Sequence, residues 1–190
     1  MPSKMSKWFY IGGYFGGFVV SIVLAVAISV TFAVFAGPHP SDGPPLAMLG
    51  FLLLAMLPML FGVIVYFMFI YRMWASIQDG QARMTPGAAV GFCFIPFFNF
   101  YWIFQVFQGF AQDYNKYLAR RQLTFQRLNE QLFLSYSIVT LFSMIPYLGI
   151  LALPVVTVMQ VIVISKTCDA VNALDNAPPL PVAAPVAAGA

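Results

Sequence analysis

The sequence predicts an all-α integral membrane protein: two full transmembrane helices, then two Pro-broken helical hairpins and a disordered C-terminal tail. Three observations carry that prediction. Hydrophobic residues make up 61% of the chain and charged residues only 8%, with a mean hydropathy of +0.85. Soluble domains carry about 25% charged residues, so a surface this poor in charge needs lipid as its solvent. The Lys and Arg residues flank the apolar runs and never fall inside one. The two later runs are each interrupted by a proline in an Ile-Pro-aromatic context, at 95–99 and 145–149. The 190 residues allow one helical membrane domain, 1–174, and no separate soluble domain of useful size. Residues 175–190, rich in Pro and Ala, cannot build a packed core and are expected to be disordered.

The first apolar run extends from about Ile11 to Ala36. That exceeds the 7–15 residues of a signal-peptide core, so a retained span is expected, with Trp8, Phe9 and Tyr10 in the interfacial aromatic belt. Small residues recur along it at every fourth position: Gly13, Gly17, Ser21, Ala25, Ser29 and Ala33, with Gly12 and Gly16 beside them. Such spacing makes a shallow groove that lets another helix approach closely. The approaching helix is either a partner's or one of the chain's own later helices. GPHPSDGPP, residues 37–45, is a turn-rich loop without Lys or Arg and is expected to face away from the cytoplasm. A second span follows from Leu46 to about Met73, with Pro58 and Gly62 as possible kinks and Arg72 and Trp74 at its cytoplasmic end. Thr85 and Pro86 then suit an N-cap and first helical position.

Charge counting decides how the remainder is arranged. If 87–111 crossed the membrane once, Lys4, Lys7, Arg72, Arg83 and Lys166 would lie inside, and Lys116, Arg120, Arg121 and Arg127 outside. That split shows almost no bias, against a strong rule. If the chain instead reverses at IPFFN and again at IPYLG, all 9 basic residues share the cytoplasmic side. Hairpins are therefore expected over Pro-kinked crossings. Asn99 is expected to satisfy the first break (Pro96) and Gly149 to give flexibility at the second (Pro146). An imperfect internal echo accompanies the prolines. MLP (56–58), FIP (94–96) and MIP (144–146) each precede an apolar stretch ending in SIQDG (76–80), AQDYN (111–115) or KTCDAVN (166–172).

Gln105, Gln108, Gln112 and Asn115 fall on one side of the helix after Pro96, where polar groups bond across helices or line a wet path. DYNKYLARRQLTFQRLNEQLF, 113–133, reads as one amphipathic helix. It would lie along the interface or continue the preceding span, with Lys116, Arg120, Arg121 and Arg127 contacting lipid head groups. No catalytic, cofactor-binding or metal-ligating pattern is present. His39 is the single histidine, Cys93 and Cys168 stand far apart, and an enzymatic reading would need Asp79, Asp113 and Asp169 to converge. Pairing of those aspartates with Arg72 or Lys166 is the simpler expectation.

MTPGAAVGFCFIPFFNFYWIFQVFQGFAQDYN, 84–115, resembles a recurring segment of uncharacterised bacterial multi-span membrane proteins, TPGxAVGFxFIPFFNxYWxF followed by a glycine and D-x-N. The matching positions run from Thr85, Pro86 and Gly87 through Pro96, Asn99 and Trp102 to Gly109, Asp113 and Asn115. The resemblance implies a bacterial integral membrane protein and supplies no catalytic residues. The expected role is a structural or accessory subunit of the bacterial inner membrane, N-terminus and most basic loops cytoplasmic, without enzymatic activity or cofactor. Its partners would be membrane lipids and other membrane subunits or copies of itself, not nucleic acid. The alternative is a small transporter or channel with a polar path at the Pro96 and Pro146 breaks.

Overall fold

The computed structural model of the protein describes residues 4–35 and 46–176. The 37–45 loop and the tail beyond Asn176 lie outside them. The elements are α1 (Lys7–Phe35), α2 (Leu46–Ala55), α3 (Leu57–Ala75), α4 (Pro86–Gly91) running into a 3₁₀ turn (Phe92–Phe94), α5 (Phe98–Arg120), α6 (Glu130–Ser143) and α7 (Leu148–Asp175). Three stretches are long and apolar enough to cross a membrane: Lys7–Val34, Met48–Ala75 and Leu148–Asp175. The chain is thus an all-α protein built for a membrane.

Along the chain the helices follow one another as three pairs, α1 with α3, α4 with α5, and α6 with α7, although α4 packs mainly on α3 and α5 on α6. Within each pair the first helix starts and the second ends at one charged end of the bundle. Cross-links there fix the level of every terminus. Lys7 pairs with Asp169 at 2.6 Å, Arg72 donates to the Tyr10 hydroxyl, Arg83 pairs with Asp113, and Arg120 pairs with Asp79.

The first helix of each pair begins in the same way. A buried apolar residue precedes a polar N-cap: Met5 before Ser6, Met84 before Thr85, and Leu128 before Asn129. Each cap side chain accepts from a backbone N–H of the first turn, satisfying a donor that the helix itself cannot. A side-chain amide from the end of a second helix then grips the buried residue. Asn115 bonds both the N–H and the C=O of Leu128 at 2.9 Å. Asn172 does the same to Met5, at 2.7 and 2.9 Å. Gln78 makes the looser third version, donating to the carbonyl of Met84 at 3.1 Å. The grips close a ring: the loop after α3 holds the start of α4, α5 holds the start of α6, and α7 holds the start of α1. The polar patches of the sequence echo are these grips.

The two prolines that break the chain do so with one geometry. At the first, Ile95 N bonds Phe92 O, Phe98 N bonds Pro96 O at 2.6 Å and Asn99 N bonds Ile95 O. Ile145, Leu148 and Gly149 repeat that pattern on Phe142, Pro146 and Ile145. The i→i+2 bond makes each a γ-turn centred on an aromatic residue at positive φ, Phe97 at 58° and Tyr147 at 69°. A non-glycine residue held there costs on the order of 1–3 kcal/mol. The third echo member does not break: Met56 is right-handed helical, Leu60 N bonds its carbonyl, and Pro58 occupies the first turn of α3.

Several sequence expectations need correction. Backbone bonds close the first break, and the side chain of Asn99 lines a cavity instead. Gly149 serves close approach rather than flexibility, since a Cβ there would stand 2.5 Å from Ser143 O. The second hairpin has unequal arms, 14 residues in α6 against 28 in α7, because α7 continues past Lys166 to Asp175. Helix α7 ends at Asp175, and Asn176 is its C-cap. Residues 113–133 are not one helix. The chain leaves α5 after Arg120, Gln122 takes φ 51°, and α6 starts afresh after the Asn129 cap, the intervening loop held by Asn115. Of the three residues expected in the aromatic belt, Tyr10 is fully buried against the chain's own helices, whereas Trp8 is 83% exposed; Trp74, at the end of α3, is fully buried too.

Candidate functional site

The two breaks lie side by side at about mid-height of the α1–α3 pair. Phe94 packs on Phe67 at 4.8 Å between ring centres, and Asn99, Ser143 and Met144 share a cavity with Tyr14 and Tyr66. From Tyr66 to Ala75 at the charged end is about 14 Å at the usual helical rise. On the other side of that level, α1 and α3 run on with α2 as a separate arm. Its outer surface exposes Ile22, Val23, Val26, Val30, Leu53 and Leu57.

A cavity of about 300 Å³, open on one side where Met144 and Leu153 are exposed, lies between α1, α3, α5, α6 and α7. Apolar side chains, Phe67, Ile70, Ile103, Val106, Phe107 and Val156, form most of its wall. Polar groups face it from four directions. Tyr66 and Tyr136 place their hydroxyls 3.4 Å apart, Tyr14 comes from α1, Asn99 from the first break and Gln160 from the middle of α7. Thr140 and Ser143 also line it, but each hydroxyl donates at 2.7 Å to a carbonyl of its own helix. Cys93 likewise donates to Ala89 O at 3.2 Å.

Gln160 is the exception in this set. It is 6% exposed, and its Nε2 makes no well-formed hydrogen bond within the protein, with the Tyr14 hydroxyl as its polar neighbour. A buried amide donor left unsatisfied costs about 1–3 kcal/mol; the Thr167 hydroxyl is orphaned in the same way, but of the two only Gln160 lines this cavity. The lining offers hydroxyls and amides, with no carboxylate, ammonium or imidazole. It can hold an uncharged hydrogen-bonding molecule; it has no group suited to moving a proton near neutral pH.

The predicted polar stripe divides among three tasks. Arg83 lies along α5 and donates to Gln105 at 3.1 Å, Gln112 at 2.9 Å and the buried carboxylate of Asp113 at 2.9 Å. Gly109 makes room for it, since a Cβ there would meet the guanidinium at 2.9 Å. Asn115 is a grip, and Gln108 is half-buried without joining the Arg83 network. The three aspartates do not converge. Asp79 and Asp113 exchange charges with Arg120 and Arg83, tying the 76–85 loop to α5, and Asp169 takes Lys7 rather than Arg72 or Lys166. Burial alone would raise the pKa of Asp79, but the Arg120 bond and the Gln81 N–H outweigh it and hold the carboxyl below its usual range.

Of the residues expected at lipid head groups, Arg120 is spent on Asp79 and Arg121 lies over the Tyr117 ring at 5.1 Å. Lys116 is exposed, 4.0 Å from Asp113, and Arg127 lines a cleft at the charged end. The small-residue face of α1 packs on the chain's own α3. Gly13 meets Val65, a Cβ on Gly17 would strike Pro58 O, and the buried Ser21 hydroxyl accepts from Met59 N at 2.8 Å. Along the same face Ala25 is half-buried, and Ser29 and Ala33 are exposed.

Sequence reasoning missed Tyr14, Tyr66, Tyr136 and Gln160. The tyrosines read as ordinary aromatics of apolar runs, and only Gln160, a lone amide in such a run, carried a visible signal. No family model, curated protein or solved structure matches the chain.

Proposed function

We propose that the protein is a binding module of a bacterial cytoplasmic membrane whose cavity between two re-entrant hairpins takes up a small uncharged molecule. The charged end faces the cytoplasm in this reading. The hairpins enter from that side and turn back at Phe97 and Tyr147, within a hydrocarbon layer about 30 Å thick. The single observation behind the binding role is the buried Gln160 Nε2, which makes no well-formed hydrogen bond although Tyr14 stands beside it, in a cavity at the low end of ligand-pocket volumes. A charged ligand would need an opposing charge at that depth, and the lining has none. The accessory-subunit reading loses its main support where α3 covers Gly13, Gly17 and Ser21; partners would have to use another face.

The test is to extract the protein from its native membrane and analyse the small molecules released on denaturation. Wild type is expected to release a neutral species that Gln160→Leu lacks and that Tyr66→Phe with Tyr136→Phe retains less of. Identical small-molecule content in the three preparations would remove the proposal. Flux of that species in proteoliposomes, lost in Gln160→Leu, would extend binding to transport.

A further inference from the structure

A second cavity, of about 420 Å³, opens at the charged end between the start of α6 and the end of α7. Its lip carries Arg127 and Lys166, and its floor is apolar, with Leu132, Phe133 and Ala173. We propose that this cleft binds the phosphate of an anionic phospholipid, the acyl chains running down the outer surface of α6 and α7.

Charge makes the case first. The one carboxylate in the lining, Asp169, is paired with Lys7 at 2.6 Å, which offsets its repulsion of an incoming anion. No ion pair among the described residues engages Arg127 or Lys166. Two cations face the cleft against one carboxylate, which is already paired with Lys7, and both belong to exposed residues. Position makes the case second. Arg127 directly precedes Leu128, whose N–H and C=O are both held by Asn115, so its backbone is fixed although it lies in a loop. Lys166 stands on α7 where the apolar run ends. Guanidinium and ammonium beside an apolar floor recognise a phosphate that carries hydrocarbon. A free phosphate would satisfy the lip and leave the floor unused.

The experiment is native mass spectrometry of the full chain in detergent, titrated with phosphatidylglycerol, phosphatidylcholine or inorganic phosphate. One phosphatidylglycerol is expected to be retained at least tenfold better than phosphatidylcholine. Arg127→Gln with Lys166→Gln should abolish that preference, Arg127→Lys should keep most of it, and Lys116→Gln, outside the cleft, should leave it unchanged. Thermal melting of each variant separates loss of the site from loss of the fold. Equal retention of the two lipids, or a preference that survives in a folded double variant, overturns the proposal. Displacement of the lipid by equimolar inorganic phosphate would assign the cleft to a soluble anion and overturn the lipid source.

Discussion

Glycines in α1 look alike in sequence and differ in what surrounds them. A Cβ at Gly17 would collide with the backbone of Pro58 and press on Gly62, which cannot yield as a flexible side chain could. A Cβ at Gly12 would meet nothing within 4 Å. Overpacking a tight contact costs about 1–3 kcal/mol, whereas Gly→Ala in an open helix interior gains up to about 1 kcal/mol from propensity. Gly17→Ala is therefore expected to lower the melting midpoint in detergent and Gly12→Ala to leave it unchanged or raise it. Matching midpoints for the two variants would mean that α1 and α3 do not approach as described. The same residue-level logic separates Gln160 from Gln112. Both are amides within helices, but one is satisfied by Arg83 and the other faces a cavity.

Between elements, the recurring device is an amide from a helix end holding the residue before the next helix start. Each two-point grip replaces backbone partners that a buried Leu128 or Met5 would otherwise lack. Leaving one such group unsatisfied costs about 1–3 kcal/mol, so Asn115→Ala and Asn172→Ala should each destabilise by roughly 2 kcal/mol. Their local consequences should differ. Loss of Asn115 frees the loop at 121–129 to proteolysis, and loss of Asn172 frees the segment before α1 while leaving that loop protected. Limited digestion with mass mapping reads this directly, and a common cleavage pattern in both variants would argue against separate grips. The bend turns form the other shared device. Two strained γ-turns of one geometry, together with two grips of one geometry, support the view that the α4–α5 and α6–α7 pairs are copies of one unit.

Across the whole molecule, ion pairs and amide grips gather the charged termini of all three pairs at one end. Lys116, Arg120, Arg121 and Arg127 sit at that end together with Lys7, Arg72, Arg83 and Lys166. A membrane that kept the α1 start and the α5–α6 loop on opposite sides would have to pull these links apart. A topology reporter inserted after Arg121 should accordingly show the same side as one at the N-terminus. Activity of a periplasm-only reporter at 121, with a cytoplasmic N-terminus, would defeat the re-entrant arrangement.

The sequence by itself determined the helical membrane class, the positions of both breaks and the placement of basic residues at the ends of apolar runs, because hydropathy, proline and charge act locally or through the solvent. It also exposed the echo of polar patches without revealing their use. Folding decided what those patches grip, which glycines touch backbone, which tyrosines meet around Gln160, and which cations stay available at the α6–α7 cleft. Such outcomes depend on helices distant in the chain arriving at the same depth. Spacing along one helix records a face, but only packing selects what that face meets.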